Sequence, residues 1–293
     1  MLTASLLTAP DQPCLDARRA KELSRKWGGT SPVWLDPGIA CEFALPARPD
    51  DFEEVRSEFD MSRIDLNIQP GIGRRKKLLV ADMDSTIIEQ ECIDELAVEA
   101  GVGKEVAAIT ARAMNGEIDF TDALRNRVRL MKGLPVGMIE TVWNRRITIT
   151  PGAATLVATM KCNGAQSVLI SGGFTEFTGR LASKLGFDGH HANVLHADDG
   201  KLAGTVQEPP LGKSAKREIL LKLLRKFKLD ADAAIAVGDG SNDIEMLGMA
   251  GMGVAFRAKP TVNEATDIRI RHGDLTALLY LQGYARVEFV HRP

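Results

Sequence analysis

A run of apolar residues that ends in two acidic residues dominates positions 78–86, which read LLVADMDST. An uninterrupted apolar run of this kind predicts a strand buried on both faces, as in a parallel sheet covered by helices. Asp82 and Asp84 then lie at the carboxyl end of that strand, where two carboxylates repel each other and lose hydration. A bound cation would make the arrangement favourable, so the segment predicts an α/β sheet with a metal site at its edge.

Two further apolar runs end in the same way, at residues 167–171 (SVLIS) and 233–239 (AAIAVGD). Ligands of parallel sheets bind at the carboxyl ends of the strands, so Asp82, Ser171 and Asp239 are expected to converge on one crevice.

The segment between the first two of these strands, about residues 87–150, shows helical periodicity and almost no strand signal. It predicts a small helical bundle that caps the crevice. Further along, residues 189–206 predict a hairpin, because Asp199 and Gly200 form a dipeptide typical of tight turns.

The first 72 residues have a different pattern, with strands and helices in the order βαββαβ. This order is typical of the ferredoxin-like fold. The sequence therefore predicts two domains: a small α+β domain over residues 1–72 and an α/β domain over residues 73–293 that contains the cap. Such a fold alone indicates no function.

Charge and composition exclude several classes of protein. A net charge of −2 argues against a nucleic-acid partner, which would require a clustered basic surface. No window approaches 18 apolar residues, and the first residues lack the basic region of a signal peptide, so no membrane partner is expected. The four cysteines form no CxxC pair, which indicates neither zinc nor a disulfide framework. A cytoplasmic location is expected.

The acidic residues suit phosphoryl transfer, in which negative charge spreads over the phosphate oxygens of the transition state. A carboxylate can be the nucleophile and form an aspartyl-phosphate, and Asp82 is the candidate. Mg²⁺ would be held by Asp82, Asp239 and the backbone carbonyl of Asp84. The Asp84 side chain would then act as general acid and base, with a pKa raised by its anionic neighbours.

Other residues could hold the phosphate itself. Ser171 and the amides of Gly172 and Gly173 precede a predicted helix, and glycines allow the backbone to approach an anion closely. Lys216 could neutralise the remaining negative charge.

A family resemblance supports these assignments. The segment DMDST is similar to the Asp-x-Asp-x-(Thr/Val) signature of the haloacid dehalogenase superfamily, with Ser171, Lys216 and GDGSND (238–243) following in the expected order. Within that superfamily the chain resembles the phosphoserine phosphatases over about residues 77–285. The matching blocks are DMDSTIIEQECIDELA, GEIDFTDALRNRVRLMKGL, VLISGGFTEF, AVGDGSNDIEML and GVAFRAKP. The resemblance implies a Rossmann-like sheet with a helical C1-type cap, preceded by a domain similar to the ACT fold.

The resemblance also implies roles for individual residues. Asp82 would be the nucleophile and Asp84 the acid and base, and both would bind Mg²⁺ together with Asp239. Asp243 would support the metal, and Asn242 the phosphate.

In the cap, the resemblance implies that Glu91 meets the substrate ammonium, Arg127 its carboxylate, and Phe120 packs over it. From the residues alone these three would be interpreted differently. Charged residues on helices usually form solvated surface pairs, and a phenylalanine usually belongs to the core.

Two rival functions remain open. One keeps the chemistry and changes the acceptor or substrate, as in transfer to another hydroxyl amino acid or hydrolysis of a different phosphomonoester. The other is a non-catalytic metabolite sensor, with an amino-acid ligand bound by residues 1–72. The complete set of acidic residues with Ser171 and Lys216 disfavours the sensor. The possibility that the chain forms a homodimer also stays open.

Overall fold

Two large β-sheets organise the chain, which a computed structural model describes over residues 1–114 and 117–291, without the Met114 side chain. The first sheet is antiparallel and has the order β2-β3-β1-β4. Its strands are β1 (Leu2–Leu7), β2 (Val33–Asp36), β3 (Ala40–Leu45) and β4 (Asp65–Pro70). The helices α1 (Ala17–Lys26) and α2 (Phe52–Met61) pack on one face of it around Trp27, Phe43 and Phe52. The predicted βαββαβ order is thus present.

The second sheet is parallel and has the order β12-β11-β10-β5-β6-β7. Its strands are β5 (Leu78–Ala81), β6 (Gln166–Phe174), β7 (Gly189–Asn193), β10 (Ala234–Gly238), β11 (Met252–Phe256) and β12 (Ile268–Ile270). The predicted fold class is confirmed. Because β5 lies between β10 and β6, the residues that follow these three strands share one edge of the sheet.

Six helices belong to this part of the chain: α7 (Ala153–Cys162), α8 (Thr175–Leu185), α9 (Lys213–Phe227), α10 (Ile244–Met249), α11 (Pro260–Ala265) and α12 (Ala277–Leu281). In the described ranges, no helix has both the length and the apolar character needed to cross a membrane.

The hairpin predicted over residues 189–206 is wrong in its first part. Gly189–Asn193 pairs in parallel with β6 as the edge strand β7, and the hairpin consists only of β8 (Leu195–Asp198) and β9 (Lys201–Val206). Its turn at Asp199 and Gly200 is as predicted, and both residues have positive φ, 50° and 74°. The polar sequence GHHAN gives no buried-strand signal, since an edge strand is half exposed.

In its described residues, the cap contains four helices inserted between β5 and α7: α3 (Cys92–Glu99), α4 (Gly103–Met114), α5 (Phe120–Leu130) and α6 (Gly137–Arg146). Two linkers that run antiparallel join it to the sheet. Ile88 and Ile149 form a bridge, and the Glu89 N–H donates to the Thr148 carbonyl at 3.0 Å. Gly116, part of a block that resembles the family, lies outside the described residues, as do Arg292 and Pro293 at the end of the predicted second domain.

The first sheet is attached to the second by polar side chains of β4. Asp65, Asn67 and Gln69 alternate along the strand and are all buried. The Asp65 carboxylate accepts backbone N–H groups of residues 271–273, Asn67 bonds both backbone groups of Arg269, and Gln69 donates to the Leu281 carbonyl. Because buried polar groups are costly without such partners, these bonds fix how the two sheets pack. The predicted division after residue 72 lies in the connection between them.

Candidate active site

The chain turns sharply where β5 ends, and this turn positions the two predicted aspartates. Asp82 is extended, and the following residues Met83–Ile87 form an irregular turn in which Ser85 takes φ of 53°, in the left-handed region. The Met83 N–H donates to Asp82 Oδ1 at 2.7 Å. Asp82 and Asp84 both line one cleft of about 1390 Å³ between the cap and the sheet. The spacing of two therefore brings both side chains into one site.

Three carboxylates converge at the strand ends. Oxygen atoms of Asp82, Asp239 and Asp243 all lie within 4.8 Å of one another, and the three residues are buried. Lys216 is fully buried beside them, with Nζ at 2.8 Å from Asp82 Oδ2 and 2.6 Å from Asp243 Oδ1. One ammonium faces three carboxylates, so the cluster has an excess of negative charge.

The pKa values of these groups express that excess. Burial, and then the charge of Asp243, raises the pKa of Asp82 well above its usual value. Burial and Asp243 also raise the pKa of Asp239 to about 7. Burial works to lower the pKa of Lys216, but Asp243 and Asp82 outweigh it and raise that pKa, which keeps the lysine charged. A cluster of carboxylate oxygens short of positive charge fits a hard divalent cation.

Both carboxylate oxygens of Asp243 accept hydrogen bonds. Its Oδ1 accepts from Lys216, and its Oδ2 accepts the Gly240 N–H at 3.0 Å. Asp239 Oδ1 accepts from Thr86 Oγ1 at 3.2 Å, a contact that the sequence does not indicate. These bonds suit the predicted supporting role of Asp243, which stays a prediction, as does the metal contact of the Asp84 carbonyl.

Ser171 and Gly172, two of the predicted phosphate-binding residues, belong to β6, which pairs with β5 on the edge opposite β10. Ser171 is buried, and its Oγ accepts the Gly173 N–H at 2.8 Å, so this amide is occupied. Gly172 faces the cleft between two other predicted residues: a methyl group added there would lie 3.2 Å from Phe120 Cζ and 3.6 Å from Asn242 Nδ2. The cap and the sheet therefore approach each other at Gly172.

Asp84 is buried in the cleft beside residues of the cap. Burial, and then the charge of Glu91, raises its pKa to about 7. Cys92 donates to Asp84 through its N–H at 3.0 Å and its thiol at 3.4 Å. A side chain that can be protonated near neutral pH is what a general acid and base requires.

The cap contributes the remaining predicted residues to the cleft. Glu91 precedes α3, and its Oε1 accepts from Ser85 Oγ at 2.8 Å. Arg127 on α5 is half-buried; burial lowers its pKa, against the charges of Asp94 and Glu91. Asp94 also lines the cleft. The sequence does not single it out, since an acidic residue is common at the start of a helix. Its Oδ1 is buried and has no hydrogen-bond partner among the described residues. An anionic group and a guanidinium of the cap thus line the same cleft as Asp82 and Asp239.

Comparison with known proteins identifies the family. Residues 76–251 match the haloacid dehalogenase-like hydrolases. A phosphoserine phosphatase from Albidiferax ferrireducens is 44% identical over 256 residues, which cover 85% of this chain and 98% of that protein. The chain belongs to the phosphoserine phosphatase family of these hydrolases. The resemblance found in the sequence, and the prediction of a phosphatase, are thereby confirmed.

Two solved structures extend the comparison of this phosphoserine phosphatase family member. A haloacid dehalogenase family hydrolase from Salmonella enterica serovar Typhi has a TM-score of 0.86 at 28% identity, covering 96% of this chain and 98% of that one. A phosphoserine phosphatase solved as a phospho-aspartyl intermediate analogue has a TM-score of 0.66 at 43% identity, covering 70% of this chain and 98% of that one. Because it covers 96% of this chain, the longer match includes most of the first sheet as well.

Gly173 should tolerate no side chain. A methyl group there would lie 2.5 Å from Asp84 Oδ2 and 2.9 Å from Met83 Cε, both closer than a Cβ approaches other atoms. Gly173→Ala is expected to displace Asp84 and lower kcat by roughly 100-fold, the lower end of what general acid–base catalysis contributes. Gly248→Ala is the matched control, because a methyl group there meets nothing within 4 Å. Steady-state phosphate release measures kcat of both variants. Equal kcat values for Gly173→Ala and Gly248→Ala would show that a methyl group at position 173 does not displace Asp84.

Proposed function

We propose that this chain hydrolyses O-phospho-L-serine to L-serine and phosphate, through an aspartyl-phosphate on Asp82 and with Mg²⁺ as cofactor. The observation that carries the proposal is that carboxylates of the cluster and charged residues of the cap line one cleft: Asp82, Asp239, Glu91 and Arg127. A substrate that has both a phosphate and an amino-acid group can meet both sets of residues there. The family membership, including the relative captured as a phospho-aspartyl analogue, supports the same activity.

The proposed reaction has two steps, each of which conserves protons and bonds. In the first, a carboxylate oxygen of Asp82 attacks phosphorus, the bond to the serine oxygen breaks, and the Asp84 carboxylic acid gives its proton to that oxygen. In the second, water attacks the phosphorus and gives a proton to the Asp84 carboxylate. Phosphate leaves with that water oxygen, and the Asp82 carboxylate is restored.

The surrounding residues stabilise the charge on the transferring phosphoryl group. Lys216 stays protonated and holds Asp82 in place through its 2.8 Å contact. Ser171, Gly172 and Asn242 would donate hydrogen bonds to oxygens of the phosphate group. When bound, a divalent cation would supply charge neutralisation for the phosphate and the nucleophile, and Asp82, Asp239 and the Asp84 carbonyl would hold it.

The amino-acid end of the substrate would be bound by the cap. Glu91 would accept from the ammonium, and the Arg127 guanidinium would bind the carboxylate through two hydrogen bonds. Phe120, which approaches Gly172, would cover the substrate and exclude water from the first step. Because these three residues belong to the cap, substrate binding and closure of the cleft are linked.

One assay tests the activity. Phosphate release from phosphoserine should require added Mg²⁺ and stop with a chelator. The same reaction with added homoserine separates hydrolysis from phosphoryl transfer, because transfer would yield phosphohomoserine instead of free phosphate. No phosphate release and no transfer product from the metal-loaded enzyme would refute the proposal.

Replacing Arg127 tests carboxylate recognition. Arg127→Met should raise KM for phosphoserine by roughly 10- to 100-fold, since a charge-assisted pair of hydrogen bonds contributes about 1.5–3 kcal/mol. KM for phosphoethanolamine, which lacks the carboxylate, should stay unchanged. Arg129→Met is the control, because Arg129 lies on the same helix and is exposed. An equal rise in KM for both substrates would instead indicate a general disturbance of the cap.

A place in the last step of serine biosynthesis follows from the proposed activity. The cytoplasmic location, the homodimer and an amino-acid ligand for residues 1–72 stay predictions.

A further inference from the structure

The Asp84 carboxylate is held by one residue of the cap at both of its oxygens. The Cys92 N–H donates to Oδ1 at 3.0 Å, and the Cys92 thiol donates to Oδ2 at 3.4 Å. Cys92 is fully buried, and it is the first residue of α3. The contact therefore joins the cap to the turn that follows β5.

The surroundings of Asp84 Oδ2 are otherwise tightly packed. Around the position where a Gly173 side chain would begin, Met83 Cε lies at 2.9 Å, Cys92 Sγ at 3.0 Å and Asp84 Oδ2 at 2.5 Å. The Met83 methyl group cannot form a hydrogen bond, and Gly173 has no side chain. Among the described residues, the thiol is thus the side-chain donor that the structure gives to this oxygen.

Two contacts on two oxygens have a specific physical effect. The terminal torsion of an aspartate is broad and has no sharp minimum, so a carboxyl group held at one oxygen can still rotate. A second contact on the other oxygen fixes the plane of the group. The N–H belongs to the backbone and persists in any variant, whereas the thiol can be removed.

We infer that Cys92 is a positioning residue that fixes the plane of the Asp84 carboxyl group, so that the acid faces the leaving oxygen of the substrate. This inference rests on the proposed function of Asp84 as the general acid. Cys92 also follows Glu91, the residue proposed to meet the substrate ammonium. The adjacent positions 91 and 92 then link the binding of the amino-acid end to the orientation of the acid.

The choice of leaving group separates this role from a merely structural one. The serine oxygen is strongly basic and must receive the Asp84 proton as its bond to phosphorus breaks. The p-nitrophenolate ion is a far weaker base and leaves without a proton. The value of kcat/KM reports only the steps up to departure of the leaving group. A misplaced acid should therefore lower kcat/KM for phosphoserine far more than kcat/KM for p-nitrophenyl phosphate.

The experiment compares kcat/KM for the two substrates in Cys92→Ala, Cys92→Val and Cys92→Ser. Alanine and valine remove the donor, valine with better filling of the space, whereas serine keeps a donor. In the alanine and valine variants, kcat/KM for phosphoserine should fall roughly tenfold, a fraction of the 100- to 10,000-fold that acid–base catalysis contributes. For p-nitrophenyl phosphate it should fall less than about twofold. Serine should restore most of the loss, since a hydroxyl is the stronger donor.

Cys41→Ala is the matched control, because Cys41 is equally buried but lies in the first sheet, away from the cleft. The Cys41→Ala variant should keep the parental kcat/KM for both substrates. An equal loss for both substrates, or no loss in Cys92→Ala and Cys92→Val, would overturn the inference. A parental chain that releases phosphate from p-nitrophenyl phosphate but not from phosphoserine would refute the proposed function instead. The same comparison with glycerol phosphate would then still decide the role of Cys92.

Discussion

Replacing Asp82 with asparagine is expected to abolish turnover while the fold stays intact. An amide oxygen carries no negative charge and does not form the phosphoenzyme, so kcat should fall by roughly four orders of magnitude or more, as when other enzymes lose their nucleophile. Asparagine has the same shape, and its oxygen can still accept the Met83 N–H. Lys216 keeps its contact with Asp243.

The fold of this variant can be tested separately from its activity. Three carboxylates face one buried ammonium, so removal of one negative charge should not lower the melting temperature of the metal-free protein. Acid quenching with labelled substrate should trap a phosphoenzyme in the parental chain and none in Asp82→Asn. Asp230→Asn, at an exposed position, is the control. Phosphate release near the parental rate would show that another group is the nucleophile.

The sequence predicts best those parts of the fold that are buried on both faces. The strands β5 and β10 contain only apolar residues and glycine, and β6 has the apolar centre VLI, so burial determines both their composition and their position at the centre of the sheet. The helices of the cap are predicted by their periodicity, since each buries one face. In contrast, β7 has the sequence GHHAN and forms only because β6 offers it a partner. Such tertiary pairing leaves no local pattern.

The polar residues of β4 are a second case that the sequence alone does not resolve. Asp65, Asn67 and Gln69 alternate along a strand as residues of a solvated face do, yet all three are buried. Their partners are backbone groups more than 200 residues away in the chain. A polar strand face is equally suited to water and to a docked backbone, and only the packing of the two sheets decides between them.

In the active site, the sequence predicts the residues that have a chemical signature and misses those that act through position. Asp82, Asp84, Lys216 and Asp239 are identified by their motifs, and the structure brings them together. The contacts of Cys92 with Asp84 depend instead on the turn in which Ser85 adopts a positive φ. That turn is made by a serine, and nothing in a single sequence indicates that it departs from the usual conformation.

Replacing Lys216 with methionine is expected to cost both stability and activity, because Lys216 is the buried ammonium between Asp82 and Asp243. Methionine has a similar length and no charge, so the carboxylates would lose their partner inside the protein. Breaking a buried ion pair from one side costs about 3–5 kcal/mol, and urea unfolding of the metal-free protein should show a loss of this size. Phosphate release should fall by roughly 100- to 1,000-fold with the loss of charge stabilisation.

The double variant Lys216→Met with Asp82→Asn distinguishes charge imbalance from a packing defect. If unpaired carboxylates cause the instability, removing one of them should recover part of the lost free energy of unfolding, although the protein stays inactive. If the cause is instead a packing defect, the changes in unfolding free energy of the two single variants should simply add in the double variant. Lys222→Met on the same helix is the control, because Lys222 is exposed and should contribute less than about 0.5 kcal/mol. Stability of Lys216→Met equal to that of this control would mean that the cluster does not depend on the lysine.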